Sequence, residues 1–156
     1  MRLAIAAALC LAAGCSGPGV IKAYPGGDRG ADEIGTVVTT SRDDTYTITD
    51  NRITSVDEVR YEKGGYTAQV LPGPHRFGVQ GTVRAGRPQL RTQYCTFEVN
   101  VESGCAYQPA IPAYPRSALE QKADVEWHLT RPMTVVAECS DTSYALQVLI
   151  DCTSRP

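Results

Sequence analysis

Apolar and polar positions alternate along most of this chain with a period of two. Thr92–Val101 is the clearest case: Cys95, Phe97, Val99 and Val101 fall on one side, and Thr96, Glu98 and Asn100 on the other. Successive side chains of a β-strand point to opposite faces, so this is a strand with one buried side. Similar runs, rich in β-branched and aromatic residues, predict strands at 36–40, 45–49, 52–56, 59–62, 66–71, 75–79, 105–108, 125–130, 134–139 and 144–152. Asp50-Asn51 and Lys63-Gly64-Gly65 read as hairpin turns between neighbouring strands. Leu71-Pro72-Gly73-Pro74 breaks the chain. There Pro72 presets φ and Gly73 admits φ > 0, as a type II turn requires. Helical spacing is confined to a short stretch, Arg116–Ala123. Strands about ten residues apart with turn residues between them predict an all-β fold, an antiparallel β-sandwich or partly open barrel.

The first residues break this pattern. Arg2 precedes an unbroken apolar and small-residue run from Leu3 to Gly14. As a helix, a run of this length rises only about 18 Å against a hydrocarbon core of about 30 Å. It therefore reads as the apolar region of a secretory signal rather than a membrane span. Leu11-Ala12-Ala13-Gly14-Cys15 resembles the lipobox of bacterial lipoproteins, with Ala12 where that family usually has Leu. The resemblance implies cleavage before Cys15, a diacylglycerol on its sulfur and an acylated amine. Two or three chains hold a protein stably in a bilayer where one holds it marginally. Ser16 follows, rather than the Asp that retains enterobacterial lipoproteins at the inner membrane. That points to a cell-envelope location at the outer membrane, facing the periplasm.

The expected division is a signal at 1–14, a lipidated N-terminus and Gly/Pro-rich tether at 15–32, and a β-rich domain at 33–156. Tyr24 is the tether's large aromatic, placed to dock on the domain. Without residues 1–14 the chain keeps 142 residues, with 14 Lys+Arg against 17 Asp+Glu, a net charge of −3. That length supports a single core. The absence of a basic excess argues against nucleic acid.

Four cysteines remain in the domain: Cys95, Cys105, Cys139 and Cys152. An even number in an exported chain predicts two disulfides. Each shares parity with the apolar side of its strand. With Ser103-Gly104 and Asp141-Thr142 as two-residue turns, neither sequential pair faces itself across its own hairpin. If the two hairpins pack with their turns at one end, Cys105 meets Cys139 and Cys95 meets Cys152. A slipped turn or a bulge would restore the sequential pairing Cys95–Cys105 and Cys139–Cys152.

Several segments together carry a wider resemblance: Tyr24-Pro-Gly-Gly, Ile53-Thr-Ser-Val-Asp57, Val70-Leu-Pro-Gly73-Pro-His75-Arg-Phe-Gly-Val79, and Phe97-Glu-Val with Gly104-Cys-Ala-Tyr107. With the lipobox, they resemble a group of small uncharacterised bacterial lipoproteins and PEGA-type surface β-domains over residues 24–110. Glu58 stands where that group often has Gly. The resemblance implies a β-sandwich and brings no catalytic residues.

Candidate chemistry is sparse. His75 and His128 lack metal-ligand spacing with Asp124 or Glu126, so no metal is expected. Nucleophile-elbow, Ser-x-x-Lys, Cys-x-x-Cys and phosphate-loop motifs are missing, so neither cofactor, small-molecule substrate nor enzymatic activity is expected. Arg84, Arg87 and Arg91 form a basic loop that reads as solvated or as touching anionic envelope polymers. Tyr46, Tyr61, Tyr66 and Tyr94 sit in strands and could fill sheet faces or form a binding face. The expectation is a non-enzymatic envelope lipoprotein, held to the membrane by its lipid, binding an envelope protein or glycan through the β-domain. The alternative is a periplasmic inhibitor or assembly factor of the lysozyme-inhibitor kind, which Tyr94-Cys95 approximates.

Overall fold

The structure, a computed structural model, describes residues 19–39, 48–84, 90–112 and 127–155. These hold ten strands: β1 (Val20–Lys22), β2 (Gly35–Val38), β3 (Ile48–Val56), β4 (Val59–Gly65), β5 (Thr67–Val70), β6 (Gly73–Arg84), β7 (Leu90–Val101), β8 (Ala106–Pro109), β9 (Trp127–Glu138) and β10 (Ser143–Arg155). There is no helix among the described residues, and the stretch expected to be helical, 116–123, lies outside them. The fold is all-β, as the alternation predicts. The strands form one sheet in the order β1-β5-β2-β8-β9-β10-β7-β6-β3-β4.

The sheet is mixed rather than purely antiparallel, because β1 pairs with β5 and β2 with β8 in parallel. It curls until its two edges approach each other and it is nearly closed like a barrel. The seam lies between β1 and β4; just inside it, in the β1–β5 ladder, the Thr67 N–H donates to the Gly19 carbonyl at 3.0 Å. A Cβ on Gly65 would stand 2.5 Å from that same carbonyl oxygen, so only glycine lets β1 come this near. The seam also places β1 inside the segment expected to be a tether: Ile21 is buried in the core. The folded part therefore includes residues from Gly19 onward. Tyr24 reaches the sheet as expected, its hydroxyl donating to Gln69 Oε1 at 3.5 Å.

The inner face of β7 carries Cys95, Phe97, Val99 and Val101, all buried, and the alternation of the sequence is reproduced residue for residue. Phe77 of β6 lies directly across from Phe97, with ring centroids 5.5 Å apart. Ile53, Val56, Val79, Met133, Val135 and Ile150 complete the central layer, and Val37, Ala68, Val70 and Tyr107 fill the end beneath β2, β5 and β8.

Several expected turns are elsewhere. Asp50-Asn51 does not turn the chain; both residues lie inside β3, where the pairing with β6 shifts register between Thr49 and Arg52. Asn51 is buried. The hairpin turn is instead Asp57-Glu58, between the paired Val56 and Val59. Both residues have positive φ, 47° and 70°, which defines a type I′ turn whose twist matches that of the flanking strands. Lys63-Gly64-Gly65 is not a hairpin turn either. It ends β4 in a bulge, with Gly64 at φ 59°, and β5 leaves to pair with β1 and β2. The two strands expected at 125–130 and 134–139 are one, β9, running through Arg131-Pro132. Proline survives there because β8 pairs β9 only from Val135 onward. Along Pro132 just one side of the strand has a ladder among the described residues.

Candidate functional site

Both disulfides join residues directly opposite each other in the sheet. Cys95 of β7 pairs in register with Cys152 of β10 and is bonded to it. Cys105 and Cys139 lie one step beyond the β8–β9 pair Ala106↔Glu138 and are bonded to each other. This is the pairing favoured from sequence, reached by a different route. The Ser103-Gly104 turn exists, but β7 and β8 do not pair across it. The turn is a corner that carries the chain past the β9–β10 hairpin, and β8 enters the sheet beside β2 and β9. The β9–β10 register is also offset from the expected one, with Tyr144 facing Ala137 rather than Cys139. Glu102 lies within 4.8 Å of the Cys105 and Cys139 sulfurs, a grouping with metal-ligand atom types. Those sulfurs are joined to each other, so neither presents a thiolate. Around them Tyr107, fully buried, accepts from the Glu102 N–H at 2.9 Å, and Tyr144 donates to Glu102 Oε1 at 3.1 Å. The contact with Tyr107, burial and the Glu102 charge together push the Tyr144 hydroxyl well above its ordinary pKa. This rim cluster is a polar fastening.

His75 is held at both ring nitrogens. Nδ1 is 2.6 Å from Asp57 Oδ2, and Nε2 is 2.7 Å from the Leu71 carbonyl. The Arg76 N–H donates to Asp57 Oδ1 at 2.9 Å. Partial burial pushes the Asp57 carboxyl up, but the Arg76 N–H and the His75 ring outweigh it and hold the group below its ordinary pKa. Both ring nitrogens are taken up by these two oxygen contacts. Its place is to tie the Leu71–Gly73 corner to the β3–β4 turn. His128 lies on the exposed side of β9, opposite Thr153. Cys15, Arg87, Tyr46, Asp124 and Glu126 lie outside the described residues. Arg84 ends β6 and Arg91 lies near the start of β7, facing Val83 in the register.

The feature best suited to function holds two of the tyrosines that the sequence offers for a binding face, Tyr61 and Tyr94, in a setting the sequence alone does not give. It lies on the face of β10, β7, β6, β3 and β4 turned away from the core. A recess of about 640 Å³ runs there, lined among others by Thr54, Gln80, Tyr94, Thr96 and Thr153. Smaller recesses of about 420, 150 and 290 Å³ share lining residues with it or with each other and extend it into one trough. The register explains the arrangement. Thr153, Tyr94 and Gln80 are direct neighbours across β10, β7 and β6, and Asp151, Thr96 and Gly78 form the next row. Gly78 has no side chain to fill the floor, and a Cβ there would collide with the Ser55 hydroxyl. A bulge at Thr54-Ser55 in β3 interrupts the pairing at this point.

Among the described residues the trough is electrically balanced: its cations are Arg52, Arg60, Lys63 and Arg76, and its carboxylates are Glu58, Glu62, Glu98 and Asp151. Tyr94 is 43% exposed, high for so large an aromatic in mid-strand. Tyr61, which also lines the recess, has its hydroxyl pKa raised by burial and by the Asp57 charge. Parity along β7 places Tyr94 on the polar face, so the alternation of Thr92–Val101 contained this signal. What the sequence lacked was which strands lie beside β7. Neither a family model, a curated protein nor a solved structure matches this chain.

Proposed function

We propose that this chain is an envelope lipoprotein, anchored through lipid on Cys15, that performs no chemistry and binds an envelope component through the trough of β10, β7, β6, β3 and β4. The observation that carries the reading is the trough itself. It is a recess of mixed polar and apolar lining, extended by smaller neighbours that share its residues, with an exposed tyrosine on a sheet face that disulfide Cys95–Cys152 staples from behind. The lipobox-like run ending at Cys15 supports anchoring, and a Gly/Pro-rich start after it suits a domain held close to a membrane. The resemblance to small lipoproteins with PEGA-like β-domains supports the same placement.

Two measurements test the reading. Palmitate labelling and membrane fractionation of the full chain should both be lost in Cys15→Ala; continued labelling would remove the anchor. Retention of the full chain on insoluble envelope material should fall at least about tenfold in Thr96→Trp, which fills the trough on a half-buried, outward position. Unchanged retention would remove the trough from the reading.

A further inference from the structure

We propose that the trough binds a linear, neutral polysaccharide, with Tyr94 as the platform on which a sugar ring stacks. This rests on the binding role proposed above and names its ligand. Four observations lead to it.

The first is charge. Four cations and four carboxylates share the trough. A surface that collects a polyanion needs one sign of charge in excess, to gain from steering and counterion release. Among the described residues this one has no such excess, which fits a partner that is uncharged or nearly so.

The second is the lining. Tyr94 stands between Gln80 on β6 and Thr153 on β10, with Thr96 on the same face of its own strand. Tyrosine gives a rigid amphipathic surface at little entropic cost, and the amide and hydroxyls around it both donate and accept. A pyranose ring has the matching chemistry, an apolar C–H face edged by hydroxyls.

The third is length. The trough crosses five neighbouring strands, four spacings of about 4.8 Å, or roughly 19 Å. That is long for a single sugar and suits a chain of several.

The fourth separates a glycan from a peptide. An extended peptide binds a sheet by adding a strand to a free edge, where unpaired N–H and C=O groups wait. The trough lies across the face, and β10, β7, β6 and β3 each have ladders on both sides. Along β10 and β7, around Tyr94, the main chain is engaged in these ladders, so side chains carry the recognition there, and Tyr94, Thr96, Gln80 and Thr153 are sugar-type partners.

The test is calorimetric titration of the full chain in a zwitterionic detergent with β-1,4-linked hexamers of glucose and of N-acetylglucosamine, beside dextran sulfate and an unstructured peptide. At least one neutral hexamer should bind, with an affinity little changed between low and high salt. Tyr94→Ala should weaken it about tenfold, the loss of one stacked ring, while Tyr94→Phe stays within about threefold. The position is exposed and away from the core, so both variants should fold, and circular dichroism checks that they do. Salt-sensitive binding of dextran sulfate alone, or neutral binding indifferent to Tyr94→Ala, overturns the proposal. If neither hexamer binds while Thr96→Trp still abolishes retention on envelope material, the glycan is wrong and the binding role of the trough survives. If Thr96→Trp also changes nothing, both fall.

Discussion

The sheet has two unlike halves that meet along the β8–β9 ladder. From β9 through β10, β7, β6 and β3 to β4, every pairing is antiparallel, and three of the five join strands consecutive in the chain. From β8 through β2 and β5 to β1, the strands are three or four residues long. Two of those three pairings are parallel and none joins consecutive strands. A consecutive antiparallel pair closes a short loop, whereas a parallel or non-consecutive pair closes a long one before any contact compensates. The long half is thus assembled from local hairpins. The short half is held by what it docks on, through Val37, Ala68, Val70 and Tyr107. The trough lies wholly on the long half, the part best able to keep a preformed surface.

The largest expected effect comes from the long half's centre. Phe77 is fully buried and stacked on Phe97. Phe77→Ala should cost about 4 kcal/mol in urea denaturation of the disulfide-intact chain. Native-state hydrogen exchange should then show amides in both halves losing protection together. Val37 is equally buried but sits in β2. Val37→Ala should cost about 2 kcal/mol, with the loss of protection concentrated in β1, β2 and β5. Equal losses of protection throughout the sheet in both variants would show that the halves open as one unit.

Next in size is the fastening between them. Cys105–Cys139 links β8 to the end of β9 across a sequence separation of 34. Chain entropy assigns such a link about 3.8 kcal/mol. Replacing both residues by Ser should lower global stability by about that amount and release β8 and β2 first, while β6, β7 and β10 keep their slow exchange. Cys95–Cys152 joins two strands of the long half already paired in register. Its removal should leave the order of opening unchanged. An early loss of protection in β7 would contradict the contrast drawn between the halves.

The same contrast governs how much could be read from sequence. The alternation in β7 and β10 fixed their inner faces and put Cys95 and Cys152 on core parity, because period-two patterning is a local property. Arg131-Pro132 looked like a break because proline's cost depends on whether a neighbouring strand needs its N–H, and the reach of β8 is not local information. Asp50-Asn51 looked like a turn because that pair suits one. Here the chain absorbs it as a bulge, and the turn falls seven residues later on Asp57-Glu58, where Glu is an unusual residue for positive φ. Strand β1 resembles tether in sequence because Val20-Ile21-Lys22 is too short to carry a pattern. The trough is not a local property of the chain at all. Thr54, Gln80, Tyr94 and Thr153 come from four strands, and their adjacency exists only in the finished sheet.

Glu58 offers a smaller effect of opposite sign. At φ 70° its side chain carries the left-handed penalty, and Gly is the favoured residue at the second position of a type I′ turn. Glu58→Gly should raise stability by about 0.5–1 kcal/mol, net of the added freedom of the unfolded chain. Thermal denaturation would show it as a small rise in Tm. A fall would mean that the Glu58 carboxylate contributes more than its backbone costs.

The smallest effect concerns the same turn and shows itself on acidification. Asp57 is held below its ordinary pKa because the Arg76 N–H and the His75 ring together outweigh its partial burial. A carboxyl lowered on folding adds stability that is fully present above its unfolded value. That stability is lost as pH falls through the folded value. The contribution of Asp57 should therefore be constant near neutrality and disappear only below the ordinary carboxylate range. Since the side chain is about half exposed (48%), the amount is under about 1 kcal/mol. Asp57→Asn keeps a residue suited to positive φ, so the turn is preserved while the charge is lost. Stability followed from pH 7 to pH 3 should decline less steeply in this variant than in the wild type. The short half has an ion pair of its own, Lys22 with Asp28, on the open surface. Asp28→Asn should leave the acid limb as it was. An equal flattening in both variants would show that acid sensitivity comes from net charge rather than from the corner that His75 and Asp57 hold.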